Sequence, residues 1–214
     1  MTIRHHISDS LLAGYAAGTL PEAFNLIIAT HVSVCDDCRA ALGAFEALGG
    51  AVLDDVAPIA MGHESLSACM ARIKSGEGAT EPPARPKDPV LPAPLAEYVG
   101  GGLDAIRWRP VGMGVKQAIL PTDKGASARL LYIPAGQSVP DHSHRGLELT
   151  MVLQGAFSDQ TDRFARGDVE TADDDLEHTP VAEAGEDCIC LAVTDAPLKF
   201  KGWMPRLAQP FLKI

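Results

Sequence analysis

The sequence has little positive charge. Its 214 residues carry 18 Lys and Arg against 28 Asp and Glu, a formal net charge of −10. Direct binding to nucleic acid needs clustered Lys and Arg to meet phosphates, so that class is set aside. Long apolar runs are also missing. The longest, Leu26–Ala29 and Cys188–Val193, fall far short of the ~20 residues that cross a bilayer. The first residues, MTIRHHISDS, show no basic stretch leading into an apolar one, so no secretory leader is expected and the chain is expected to work in the cytoplasm. There are only five cysteines. In a reducing compartment they point to metal or thiol chemistry rather than a disulfide frame.

What is present divides in two. Between Ser75 and Ala96 lie six of the sixteen prolines. Such a stretch neither continues a helix nor enters a sheet, so residues 77–96 are expected to form an extended linker. It separates a first domain, 1–76, from a second, 97–214. The first is rich in Ala and Leu at helical spacing. Four helices are expected: one carrying Leu11, Leu12 and Tyr15 and stopped by Gly18; one after Pro21; one from about Cys35, ended by Gly49-Gly50; and one over about 62–74 with Leu66, Met70 and Ile73 in line. The second domain changes period. Short apolar runs at 116–120, 128–133, 148–153 and 188–193 are parted by Gly, Pro and Asp, the pattern of a β-sandwich or barrel.

Two groups of residues carry chemistry. In the first domain the spacing is His6-x24-His31-x3-Cys35-x2-Cys38. Two thiolates and two imidazoles make a closed tetrahedral zinc set. His31 and Cys35 are four apart and face one way on a helix; Cys35 and Cys38 share one turn. His6 arrives from a separate segment, so zinc would staple a helical domain too thin to hold itself. His5 is the rival for the fourth ligand. In the second domain, His142 and His144 lie two apart, Glu148 follows, and His178 comes from a later strand. Three imidazoles and a carboxylate form a mixed site for zinc, manganese, iron or nickel. Cys188 and Cys190 share one face of a strand, as a core pair or a redox-responsive one.

The motif H-x3-C-x2-C at His31, Cys35 and Cys38, with His6 upstream, resembles the zinc-binding anti-sigma domain family, which sequesters extracytoplasmic-function sigma factors. Residues 136–155 resemble the first cupin motif, G-x5-H-x-H-x3-E-x6-G, at Gly136, His142, His144, Glu148 and Gly155. The second cupin motif is partial: Gly167 and His178 keep the spacing, Asp173 and Asp175 replace Pro and Gly, and Ala182 replaces Asn. Together the halves resemble the anti-sigma factors of photosynthetic and related bacteria that carry a C-terminal cupin.

That resemblance implies an all-α, zinc-stapled helical bundle followed by an all-β jelly-roll barrel, with two zinc ions per chain. The barrel metal could also be manganese, iron or nickel. It implies a one-to-one complex with a sigma factor, no membrane contact, and a barrel that answers singlet oxygen or related oxidants. The fourth helix, with Leu66, Met70 and Ile73, is the expected sigma contact. Residues 1–85 carry 5 basic and 10 acidic side chains. Glu22, Asp54 and Asp55 are therefore candidates for steering toward a basic sigma surface. The competing reading is a cupin dioxygenase carrying a zinc module. A metal-sensing or metal-storage protein is a third.

Overall fold

The computed structural model describes residues 2–76, 87–139, 142–143, 146–173, 177–196 and 199–200. Helices α1 (Asp9–Ala16), α2 (Glu22–Val32), α3 (Asp36–Asp54) and α4 (Ser65–Ser75) come first, then α5 (Ala93–Val99). A 3-10 turn at Leu103–Ala105 follows, and then the strands: β1 (Arg109–Gly112), β2 (Val115–Leu120), β3 (Ser127–Ile133), β4 (His142–Ser143), β5 (Glu148–Gln154), β6 (Ala156–Ser158), β7 (Arg163–Ala165), β8 (Val169–Ala172), β9 (Glu177–His178), β10 (Val181–Ala182), β11 (Cys188–Thr194) and β12 (Lys199–Phe200). A six-stranded antiparallel sheet runs β1-β2-β3-β11-β5-β8. Two three-stranded antiparallel sheets, β10-β6-β7 and β12-β4-β9, complete the set.

Two expectations are corrected. The third helix does not stop at Gly49-Gly50; α3 runs through both to Asp54. A helical glycine costs only about 1 kcal/mol against alanine, and neither residue takes the left-handed conformation that would end the helix. The extended linker does not reach residue 96 either. Val90 and Leu91 are buried, and α5 starts at Ala93 with Pro92 as its N-cap. A proline at a helix start gives up an N–H that has no partner there anyway, so the residue read as a breaker serves as an initiator. The rest of the proline-rich stretch, 77–86, lies outside the described residues.

β5 and β11 explain why their sequences read as unbroken apolar runs. Every residue of β11, and of β5 up to Leu153, is buried. Successive side chains in a strand point to opposite faces. Leu149, Met151, Leu153, Ile189, Leu191 and Val193 join one core with Phe24, Ile27 and Ile28 of α2 and with Leu91, Leu95 and Ala96 around α5. Val152, Cys188 and Cys190 face the other way and pack with Phe157 and Phe164 inside the barrel. Covered on both faces, these strands lose the alternation of a half-exposed sheet. The helical half thus roofs one face of the large sheet, and its core runs across the join.

The roof has an open side. α3 is buried only at Cys38 and Leu42, and α4 buries nothing. Leu48, Val52, Leu53, Val56, Ile59 and Met61 are exposed along and after the second half of α3, and Leu66, Met70 and Ile73 on α4.

Candidate metal centres

The first centre forms at the corner between α2 and α3. His31 is in the last turn of α2, Cys35 is the N-cap of α3, Cys38 lies in its first turn, and His6 comes from the segment ahead of α1. The ligand atoms of all four lie within 4.8 Å of one another. His31 Nε2 is 3.2 Å from Cys38 Sγ, and His6 Nδ1 is 3.3 Å from Cys35 Sγ and 3.6 Å from Cys38 Sγ. Bonds of 2.0–2.3 Å to nitrogen and sulfur give tetrahedral edges of roughly 3.3–3.8 Å, so the side chains fit a tetrahedral ion. His5 is turned elsewhere, with its ring toward Asp162 at 3.1 Å. That favours His6 over His5 in the set.

Local chemistry suits a soft cation. Burial pushes His31 down to about 4, so its ring is neutral and carries a free lone pair. Burial also pushes the Cys38 thiol up to about 11, against a hydrogen bond from the Ile7 backbone. A metal binding there displaces a proton that the site otherwise keeps. Cys35 Sγ accepts from the Cys38 amide at 3.5 Å at the start of α3.

The second centre is built on three strands. His142 in β4 pairs directly with His178 in β9, which brings the two positions side by side. His144 lies outside the described residues. Glu148 opens β5, is buried, and accepts from Thr150 Oγ1 at 3.1 Å. His178 is buried, and its Nδ1 is 2.9 Å from Glu170 Oε1 on β8 and 3.0 Å from Asp159 Oδ2. Burial opposes a charge on His178, but Glu170 and Asp159 overcome it and hold it up at about 9. Burial lifts Glu170 to about 7. Burial alone would lift Asp159 too, yet hydrogen bonds with Glu170, Thr161 and Asp162 keep it well below the carboxylate range. Nδ1 of His178 is thus engaged by two carboxylates, and Asp159, Glu170 and His178 offer possible ligand atoms within 4.8 Å of one another.

Sequence reasoning missed Asp159 and Glu170. Glu170 stands on a strand as an acid between Val169 and Thr171, which reads as solvent-facing, and Asp159 sits in an Asp-Gln-Thr-Asp turn. Cys188 and Cys190 do share a face, with Sγ atoms 3.5 Å apart. Their hydrogen bond and complete burial push the Cys190 thiol well up, so it is held protonated. Glu22 has a structural role as well as a place on the surface. It accepts from the Asp123 amide at 2.8 Å and the Tyr98 hydroxyl at 3.1 Å, bridging α2 to the barrel.

These observations define a class: a helical module with a His2Cys2 metal corner, mounted on a cupin barrel. The family profile described as the ChrR Cupin-like domain matches residues 99–197. Over the full length of both proteins the chain is 61% identical to the anti-sigma-E factor ChrR of Cereibacter sphaeroides. It is also similar to the ChrR chain in the crystal structure of Rhodobacter sphaeroides SigE in complex with the anti-sigma ChrR. There the identity is 59% and the TM-score 0.78, covering 91% of this chain and all of that one. The chain belongs to the ChrR family of anti-sigma factors.

Proposed function

We propose that this protein is an anti-sigma factor that binds an extracytoplasmic-function sigma factor one-to-one and silences it. The observation that carries this reading is the uncovered apolar side of the helical module. Leu66 on α4 and Leu53 on α3 are 73% and 70% exposed, beside further exposed Val, Ile and Met. A patch of that kind on a soluble module marks an interaction site. Family membership names the partner: the ChrR relative was solved bound to SigE. Leu66, Met70 and Ile73 are the contacts proposed on α4.

Zinc is the proposed ion of the first centre, held by His6, His31, Cys35 and Cys38. There it supplies a tetrahedral cross-link that fixes the N-terminal segment to the α2–α3 corner. A second ion, held by His142, His144, Glu148 and His178, completes two per chain; zinc is proposed there too, with manganese, iron and nickel as the other candidates for an N/O set. The barrel is the proposed sensor of singlet oxygen or related oxidants, and the protein a cytoplasmic regulator rather than an enzyme. No helix among the described residues is long and apolar enough to cross a membrane.

In vitro transcription with such a sigma factor tests the reading. The full chain should abolish sigma-dependent transcripts, and Leu66→Asp with Met70→Asp should restore them while zinc per chain stays at two. Unchanged transcription with the parent chain would overturn the anti-sigma reading. Repression by the double variant would make α4 a structural element only.

A further inference from the structure

One segment of the barrel, Gly167–Glu170, touches both metal centres. At its first residue, the Gly167 carbonyl accepts from Nδ1 of His31 at 3.0 Å. That bond fixes the tautomer and turns Nε2 toward Cys38. At its last residue, the Glu170 carboxylate holds Nδ1 of His178. Between them, Asp168 Oδ1 accepts from the Arg4 and His5 amides at 2.6 and 3.0 Å. The Val169 amide donates to the His5 carbonyl at 3.2 Å. The residue before the His6 ligand is therefore clamped on both of its backbone groups by the barrel.

Two further features suit the segment to transmission. Among the described residues β8 is the edge strand of the large sheet, with β5 on one side and the N-terminal segment at His5 on the other, so a displacement at Glu170 bears directly on that segment. A cleft lined by His5, His6, Val169 and Glu170 opens alongside, while Asp168, Val169 and Glu170 are themselves buried. Gly167 itself has φ +92°, and a Cβ there would fall 2.8 Å from Ile3. The positive φ strains any other residue there, and a side chain would also crowd the end of Ile3.

We propose that Gly167–Glu170 is a strut joining the two metal centres, with Asp168 as a positioning residue for the His6/His31/Cys35/Cys38 site. Loss of metal from the barrel frees His178, shifts Glu170 and β8, and loosens the grip on His31 and on the backbone beside His6. The barrel end of the strut rests on His178 being a barrel ligand, as proposed above; the other end does not.

The test uses the full chain loaded with Co²⁺. Thiolate-to-cobalt charge-transfer absorption reports only the Cys35/Cys38 centre, because the barrel set offers nitrogen and oxygen. A competing chelator should bleach that band ten- to a hundredfold faster in Asp168→Ala than in the parent, the usual effect of losing an outer partner of a metal ligand. Asp168→Asn keeps the size and one acceptor; it should accelerate bleaching in the same direction by less, and it serves if the alanine variant does not fold. His178→Gln should hold one metal fewer and bleach about fivefold faster or more, within the normal range of coupling between sites. Bleaching within about twofold of the parent in the Asp168 variants overturns the positioning role. The same result in a His178→Gln chain that has lost one metal overturns the coupling. If His178→Gln keeps its full metal content, the ligand reading fails and takes the barrel end of the strut with it, while the Asp168 result stands by itself.

Discussion

At the residue scale, buried or half-buried carboxylates organise this protein wherever backbone amides need an acceptor. Asp88 is the clearest case outside the metal centres. Its Oδ1 accepts from Val90 and Leu91 at 2.8 Å each and its Oδ2 from Leu103 at 3.0 Å, tying the entry of α5 to the turn that follows it. Burial would raise its pKa, but those three bonds outweigh burial and hold it below the ordinary carboxylate value. The sign follows. A depressed carboxylate contributes its stability in full above the unfolded value near 4 and loses it as pH falls through the lower folded value. Asp88→Ala is therefore expected to cost about 1–3 kcal/mol at pH 7. Urea titrations at falling pH should show that difference fading below about pH 4. Gly155 offers a second case. It sits at φ +69° between β5 and β6, and a Cβ would meet the Asp187 carbonyl oxygen at 2.8 Å. Gly155→Ala is expected to lower stability by about 1–3 kcal/mol, read from the same denaturation curves.

At the scale of elements, what the sequence reveals depends on whether a spacing has one geometric meaning. His31-x3-Cys35-x2-Cys38 is legible because three and four residues are one helical turn, and the ligands did converge as that spacing demands. The four long strands are legible within a residue or so at each end because turn residues bracket them. Gly49-Gly50 misled because a glycine pair ends a helix only when something rewards a left-handed residue, and nothing here does. Pro92 misled because proline breaks and starts helices by the same missing N–H. Glu170 was illegible because an inward acid on an edge strand differs from an outward one only in its partners. The pairing of His142 with His178, 36 residues apart, was visible only through the cupin motif. α4 carries its own prediction: with no buried side chain, it should show weak hydrogen-exchange protection alone and strong protection once a sigma factor covers it. Equal exchange in both states would mean that the partner docks elsewhere.

At the scale of the molecule, the two halves share one core, and this has a measurable sign. Phe24, Ile27 and Ile28 pack with Leu149, Leu191 and Val193, so helix and sheet lose their burial together. Far-ultraviolet dichroism and tryptophan fluorescence should follow a single coincident urea transition in the metal-loaded chain. Two separated transitions would mean that the helical roof comes off before the barrel opens. The contact between the His5 carbonyl and the Val169 amide has a consequence of another kind. An uncovered sheet edge is a template for pairing with a second chain. In this protein the segment ahead of Ile7 carries His6 and meets that edge through the bond between the Val169 amide and the His5 carbonyl. A nick or truncation ahead of Ile7 would thus take His6 from the metal corner and bare a sticky border in one stroke, turning a regulator into a seed for self-association.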